Sequence, residues 1–454
     1  MKIINTKNHK IISVKMAKLL CVIFTSFAFL SPLISVAQET KTITLNDAIS
    51  LGLTNSKTLK LSKSKVDKAI SVYNQTLDKA LPSAKASAIY NHAEIPNNVL
   101  QLGPGDPVRL PKRADAFIGT LSIQELIFAG NKLKYAKEST DLLKKITELD
   151  VDKSKQDVSL AIINSYLNLY KLDHSKEVIN QNIAAIDTQL KQTNRFFDQG
   201  LVTKNDVLRL QLQRSNIELT GLDLDKNRNI VNYNLDILLG LQENTIIKTA
   251  PFNIADNQKM GFVDYLDSAM LNRVEIKQMD FRAGVNDRNI ASIKADKLPT
   301  LGAGVSAYYL NPKGFIPNQN EFITPLTIGA TLSWNISNLF TTKNKVAEAT
   351  IDKNETLINK NILMDNIKLD VNRNYETYLQ SLKRIDVISA SIAQAQENDK
   401  IVTSKYQNNI ASITDRIDAD TQLFQAKINL EIAKADAQIA YYNLLRSAGI
   451  ELNR

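Results

Sequence analysis

The chain is 454 residues long, 44% hydrophobic and 23% charged, with a formal net charge of +9, three histidines and a single cysteine, Cys21. The first 37 residues hold five lysines and no acid, which leaves 51 of the 56 basic residues against 47 acids, a net +4 without a clustered basic run. That composition argues against nucleic-acid binding, disulfide frameworks, and cysteine- or histidine-based metal and catalytic sites.

In chain order, Lys2, Lys7, Lys10, Lys15 and Lys18 lead into the apolar stretch Leu19 to Leu30 and then Ser35-Val36-Ala37, a small-x-small cleavage pattern. Residues 1–37 therefore read as a secretory signal, too short in its apolar part to span a bilayer as a helix, with Gln38 as the first mature residue. Cys21 leaves with it.

The mature sequence is punctuated unevenly. Prolines fall at Pro82 to Pro111, at Pro251 and at Pro299 to Pro325, whereas residues 131–199 and 330–448 contain neither Gly nor Pro. Such stretches, rich in Leu, Ile, Ala, Lys and Gln, predict very long helices; from Asn131 to Asp198 a single one would reach about 100 Å at 1.5 Å per residue. Their apolar residues recur as coiled-coil seams: Ile179, Ile183, Ile186, Leu190 and Phe197, then Leu210, Ile217, Leu224, Val231 and Leu238. Between the helices, Ala84, Ala86, Ala88 and Tyr90, then Phe117, Leu121 and Ile123, then Leu301 to Tyr309, then Leu326 to Trp334 alternate with mostly small polar residues, Ile89 and Ile118 being the exceptions in the first pair. Period two with one apolar and one wet face is the pattern of membrane β-strands.

The text is written twice. At an offset of 209, FDQGLVTKNDVLRLQLQR (Phe197 to Arg214) meets YQNNIASITDRIDADTQL (Tyr406 to Leu423), and Leu239-Gly240-Leu241 meets Ala448-Gly449-Ile450. Upstream the offset is 217, where Leu81-Pro82 meets Leu298-Pro299. The expected division is a first repeat, 38–250 (helix, strand pair about 83–123, long helix about 131–198, returning helix about 204–239). A second repeat, 251–450, follows (helix, strand pair about 300–335, long helix about 341–408, returning helix about 413–446). Ala419, Ala426, Ala433, Ala440 and Ser447 stand where the first repeat has large seam residues, which suggests large packed against small. Four strands cannot close, and an open edge cannot sit in lipid, so strands in a membrane would have to be shared between chains.

Taken in order, TLNDAISLGLTNSKTLK, LPSAKASAIY, LPTLGAGVSAYY and the two tip phrases give a chain that resembles the TolC family of outer-membrane efflux proteins over essentially its whole mature length. The resemblance implies a mainly α fold with a membrane β part: a homotrimer whose four β-strands per chain form a 12-stranded outer-membrane β-barrel, continued by a coiled-coil helical tunnel in the periplasm. It implies a channel and not an enzyme, no cofactor, and as partners a periplasmic adaptor and an inner-membrane transporter, with outer-membrane lipid around the barrel and no nucleic acid. The cargo stays open between drugs, metal cations and polypeptides.

The two phrases are then hairpin tips, with Gly200 and Asn409 suited to the positive φ that stops a long helix. Thr203 to Asp206 and Ser412 to Asp415 have capping-box spacing. By resemblance, Asp415 and Asp418 line the tunnel entrance as a cation-selective ring; Asp415 serves equally well as a helix cap, while Asp418 is less well placed for that. Asp206 and Tyr406 match a family gate link, a phenol-to-carboxylate hydrogen bond, with hairpin packing as the other reading of Tyr406. A second family link needs a basic residue at Ala411 and a hydroxyl at Asn205, and lacks both; Lys204 or Arg416 could substitute. Asp420 is expected to be solvated, and Trp334 lies either in an interfacial aromatic belt or under the strand-to-helix junction. The competing reading of the whole chain is a secreted coiled-coil scaffold without a pore.

Overall fold

The computed structural model describes residues 40–101, 103–109, 112–243, 245–251, 260–311, 322–408 and 410–452. The expected signal segment, Cys21 and Asn409 lie outside them.

Thr44 accepts from Asp47 N and so starts α1 (Leu45–Asn55). Ser56 ends that helix and caps the next, its Oγ accepting from Leu59 N, so the single expected helix is two, α1 and α2 (Lys57–Asp78). The strand pair follows, β2 (Ser83–Glu94) and β5 (Arg113–Phe128), with a two-residue ladder β3 (Val99–Leu100) and β4 (Val108–Arg109) in the connecting loop. Then come α3 (Lys132–Asp198), 67 residues without a break, and the returning α4 (Lys204–Leu239).

The second repeat retraces this with α5 (Phe262–Asn272), α6 (Val274–Ala295), β7 (Thr300–Asn311), β8 (Leu326–Ser333), α7 (Asn338–Gln407) and α8 (Ile413–Ser447). The sequence patterns did not signal the short parallel pair of β1 (Thr40–Ile43) and β6 (Ile246–Thr249), which ties the ends of the first repeat together. Tyr166 clamps that pair: its hydroxyl donates to Ile43 O at 2.9 Å and accepts from Ala250 N at 2.8 Å.

The helices stand side by side in one wall, two of them running its full height. Near the strands the order across the wall is α2, α3, α6, α7; toward the tip it is α4, α3, α8, α7. Each repeat has a core where its helices turn, around Ile49, Ile162, Tyr166 and Leu235 in the first and Tyr265, Val371, Tyr378 and Leu444 in the second. Both turns use the same device. Gly240 (φ +67) ends α4, and Asn55 Nδ2 donates to Leu239 O at 2.7 Å; Gly449 (φ +68) ends α8, and Arg273 Nη1 donates to Ser447 O at 3.2 Å.

The expected packing of the large stripe of α4 against the alanine stripe of α8 is not what the wall shows. Ala419, Ala433, Ala440 and Ser447 are buried because α8 lies between two long helices, α3 and α7, whereas α4 packs mainly on α3 and only lightly on α8. A helix with two neighbours has to be slim on both flanks, and alanine allows the close approach. Ile428 instead joins Ile179, Ile186 and Ile217 in a shared cluster.

Candidate conduit wall and periplasmic tip

The four long strands make one antiparallel sheet in the order β2-β5-β7-β8. Its register sorts the side chains. Ala84↔Ile123, Ala88↔Gly119 and Tyr90↔Phe117 on one ladder, with Val305↔Ile328 and Leu301↔Leu332 on another, lie on a single face. That face is apolar. The opposite face carries Ser87↔Thr120, Lys85↔Ser122, Gly302↔Thr331 and Ser306↔Thr327, small or polar, and turns apolar only toward the loop end, where Ile89↔Ile118 meets Leu310 beside Tyr308.

The apolar band ends in aromatics. At the loop end, Tyr309 stacks on Phe322 at 4.1 Å and Phe117 meets Tyr309 edge-on at 6.2 Å. At the helix end, Trp334 Nε1 donates to Lys297 O at 3.0 Å, so its indole seats on the strand-to-helix junction, with half its surface still exposed. That contact is the junction reading of Trp334. The strand pattern did not single out this loop-end cluster; Tyr90, Phe117 and Tyr309, near one end of the strands on the apolar face, are the signal for it.

Two edges of this sheet, β2 and β8, have no partner strand among the described residues, and β8 exposes Leu326, Ile328 and Leu332. The wall of helices has matching open edges. Along α7, Ile351, Ile358, Ile362 and Leu369 are exposed at spacings of seven, four and seven; along α4, Leu208, Leu212, Leu219 and Leu222 are exposed at four, seven and three. These are coiled-coil seams without a second helix.

At the tip, Gly200 has φ +72 and Leu201 N donates to Phe196 O at 2.8 Å. The equivalent bond in the other hairpin, Ile410 N to Lys405 O at 2.8 Å, flanks the undescribed Asn409. Both capping boxes form: Thr203 N to Asp206 Oδ2 at 2.8 Å, and Ser412 N to Asp415 Oδ2 at 3.0 Å with Ser412 Oγ to the same oxygen at 2.7 Å. The Ser412 bonds, side chain then backbone, hold the Asp415 carboxyl below its usual range.

Asp206 and Tyr406 do not bond to each other within the chain. Asp206 is committed to its cap, and Tyr406 packs among Leu190, Leu210 and Ile413 while its hydroxyl meets Thr193 Oγ1 at 3.2 Å. Nor do Lys204 and Arg416 join the hairpins: Lys204 lies 5.6 Å over the Phe197 ring, and Arg416 pairs with Asp399 inside its own hairpin.

The links between hairpins come from other residues. Arg209 Nη1 donates to Thr414 Oγ1 at 3.1 Å and Gln213 Nε2 to Thr421 Oγ1 at 3.0 Å, both between α4 and α8. Asp420, expected in solvent, is instead buried where α8 crosses α3. Burial raises its pKa, Arg416 opposes that rise and Asp399 adds to it, while the Asn182 and Gln189 amides hydrogen-bond to the carboxylate. The alternating acid–apolar text Asp415-Arg416-Ile417-Asp418-Ala419-Asp420 concealed this, since helical position puts Asp420 beside Arg416 and not beside Asp418. Asp418 is exposed and has no hydrogen-bond or ion-pair partner among the described residues.

A sequence model of the outer membrane efflux protein family matches residues 265–450. Over residues 265–450 the chain carries an outer membrane efflux protein domain. Solved structures extend the likeness to the first repeat. An outer membrane protein of Vibrio cholerae, VceC, superposes with a TM-score of 0.73 at 16% identity, over 89% of this chain and 96% of that one. CusC gives 0.76 at 14%, over 90% and 92%, and the Campylobacter jejuni CmeC outer membrane channel 0.73 at 15%, over 90% and 87%. No curated protein matches the sequence. The resemblance to outer-membrane efflux proteins therefore stands for the second repeat by sequence and for most of the chain by fold. No helix among the described residues is long and apolar enough to cross a membrane.

Proposed function

We propose that three copies of this efflux protein close into one outer-membrane duct, twelve strands above and a tube of helices below, which serves as the exit of a tripartite efflux or secretion system. The observation that carries this reading is the coincidence of open edges: the sheet edges β2 and β8 and the exposed seams on α4 and α7 lie on opposite flanks of the same wall. An unpaired strand edge costs several kcal/mol per group in lipid, so each β8 pairs with the β2 of the next copy. Two copies would make eight strands, whose interior side chains fill; twelve leave a wet lumen, and the Ser, Thr and Gly face supplies its lining.

In this reading 1–37 is a removed signal and 38–250 and 251–450 are the two repeats that give each chain its two hairpin tips. Gly200 and Asn409 turn those tips at the periplasmic mouth. Asp415 and Asp418 set its charge, and Asp206 and Tyr406 serve the gate by holding the shapes of their hairpins and not by bonding to each other. A periplasmic adaptor and an inner-membrane transporter supply the cargo from below. The test is to purify the mature protein from outer membranes and measure subunit number and single-channel conductance. Trimers that conduct support the duct; a water-soluble, non-conducting particle would favour the scaffold reading and defeat this one.

A further inference from the structure

The duplication puts a specific residue opposite the proposed entrance carboxylate. At the offset of 209 that aligns the two tips, the counterpart of Asp415 is Asp206, both capping acids, but the counterpart of Asp418 is Arg209. The repeat has kept the acid at one level and inverted the charge at the next.

Arg209 is exposed on α4, and its guanidinium is fixed in place by donation to Thr414 Oγ1 at 3.1 Å. Thr414, Asp418 and Thr421 share one face of α8 at spacings of four and three, and Thr421 in turn receives Gln213 of α4, one turn beyond Arg209. So Arg209 and Gln213 address the same α8 face on which Asp418 stands unpaired. Both returning helices pack on α3, and the bonds from Arg209 and Gln213 draw them together on the side of the wall that carries Thr414, Asp418 and Thr421. A wall whose neighbours converge on one side is concave there, and the concave side of a closed tube is its lumen.

We propose that Arg209 is a charge-selectivity determinant of the periplasmic mouth, alternating around it with Asp418. The proposal rests on the trimeric duct reading. With three copies, six positions related by the duplication and the threefold form a ring of three guanidinium and three carboxylate groups. Their fields oppose at the point where the mouth would otherwise favour cations. A fixed charge within about a Debye length of the axis, roughly 8 Å at physiological salt, is felt by every passing ion. Removing three of one sign is expected to change the cation-over-anion permeability ratio about threefold.

The test uses the purified full-length protein in planar bilayers under a salt gradient. Arg209→Gln retains a donor for Thr414 and removes the charge, and is expected to raise the cation-over-anion ratio about threefold. Arg209→Lys should restore the parental ratio, Asp418→Asn should lower it, and the double variant Arg209→Gln/Asp418→Asn should return close to the parent. If Arg209→Gln conducts with the parental ratio, or changes conductance alone, Arg209 is a link between hairpins and the proposal is overturned. An unaltered protein that forms no channel at all would instead remove the duct reading, and the two failures are distinct.

Discussion

Tyr406 and Thr193 meet hydroxyl to hydroxyl at 3.2 Å, both buried, one at the end of the second long helix and the other near the end of the first. This bond joins the two hairpins of one chain in the place where the sequence pointed to Asp206. A phenol in an apolar cluster needs a partner, and a threonine on the neighbouring helix can reach it where a carboxylate engaged in its own cap cannot.

Removing either hydroxyl should therefore loosen the tip. Tyr406→Phe and Thr193→Val are each expected to destabilise hairpin packing by about 1 kcal/mol, and the double variant by less than the sum. Denaturation midpoints give the cycle, and channel open probability should rise in the same order. Strict additivity of the two changes would show that the hydroxyls do not act on each other.

Asp415 and Asp418 should separate by phenotype. Asp415→Ala removes the N3 half of a formed capping box and is expected to cost about 1 kcal/mol of tip stability. Asp418→Ala touches no bond among the described residues, so it should leave stability alone and lower cation preference. Thermal melts and reversal potentials measured on the same two variants decide the matter; equal melting temperatures would remove the cap assignment for Asp415.

Asp420 should make the tip sensitive to acid. Its pKa is raised where the hairpins pack, so the packed tip binds the proton more tightly than a parted one. That contribution is complete below the ordinary carboxylate range and is lost as pH rises through the packed-state value. Open probability is expected to fall on acidification from about pH 7 toward pH 4, and Asp420→Asn should flatten the curve. A curve of unchanged shape in the variant would point to another group.

Asp236 offers a second titration, far from the tip. It is fully buried near the end of α4, its Oδ2 accepting from Asn232 Nδ2 at 3.1 Å and its Oδ1 without a partner, and burial pushes its pKa up to about 6. Its contribution to stability is complete below about pH 4 and lost as pH rises through about 6. Asp236→Asn should thus stabilise the protein by roughly 2 kcal/mol at pH 8 and by little at pH 4. Urea midpoints at the two pH values test this; equal gains at both would show packing and not charge.

Ile328 is exposed on the apolar face in the middle of β8. Ile328→Lys should cost about 2–4 kcal/mol of membrane folding if that face meets the bilayer midplane, whereas Thr327→Lys, its neighbour on the polar face, should be tolerated. Heat-resistant oligomer and outer-membrane yield are the measurements, and equal loss from both would contradict the assignment of faces.

Much of this molecule follows from the order of its residues alone. The long helices follow from stretches free of Gly and Pro, the strands from period-two alternation, the tips from a glycine and two capping boxes, and the duplication from a constant offset. All of these are local: backbone propensity, capping and side-chain period act within a few residues, and the chain states them directly. Tertiary structure alone decided which partners the tip residues take. Asp420 reads as a surface acid until α3 and α7 close over it, Tyr406 finds Thr193 some 213 positions away, and β1 and β6 are too short to signal themselves until they pair. The alanines of α8 acquire their meaning from lying between two long helices, where α4 packs mainly on one. Burial and pairing depend on distances between segments far apart in sequence, and no short-range pattern encodes those distances.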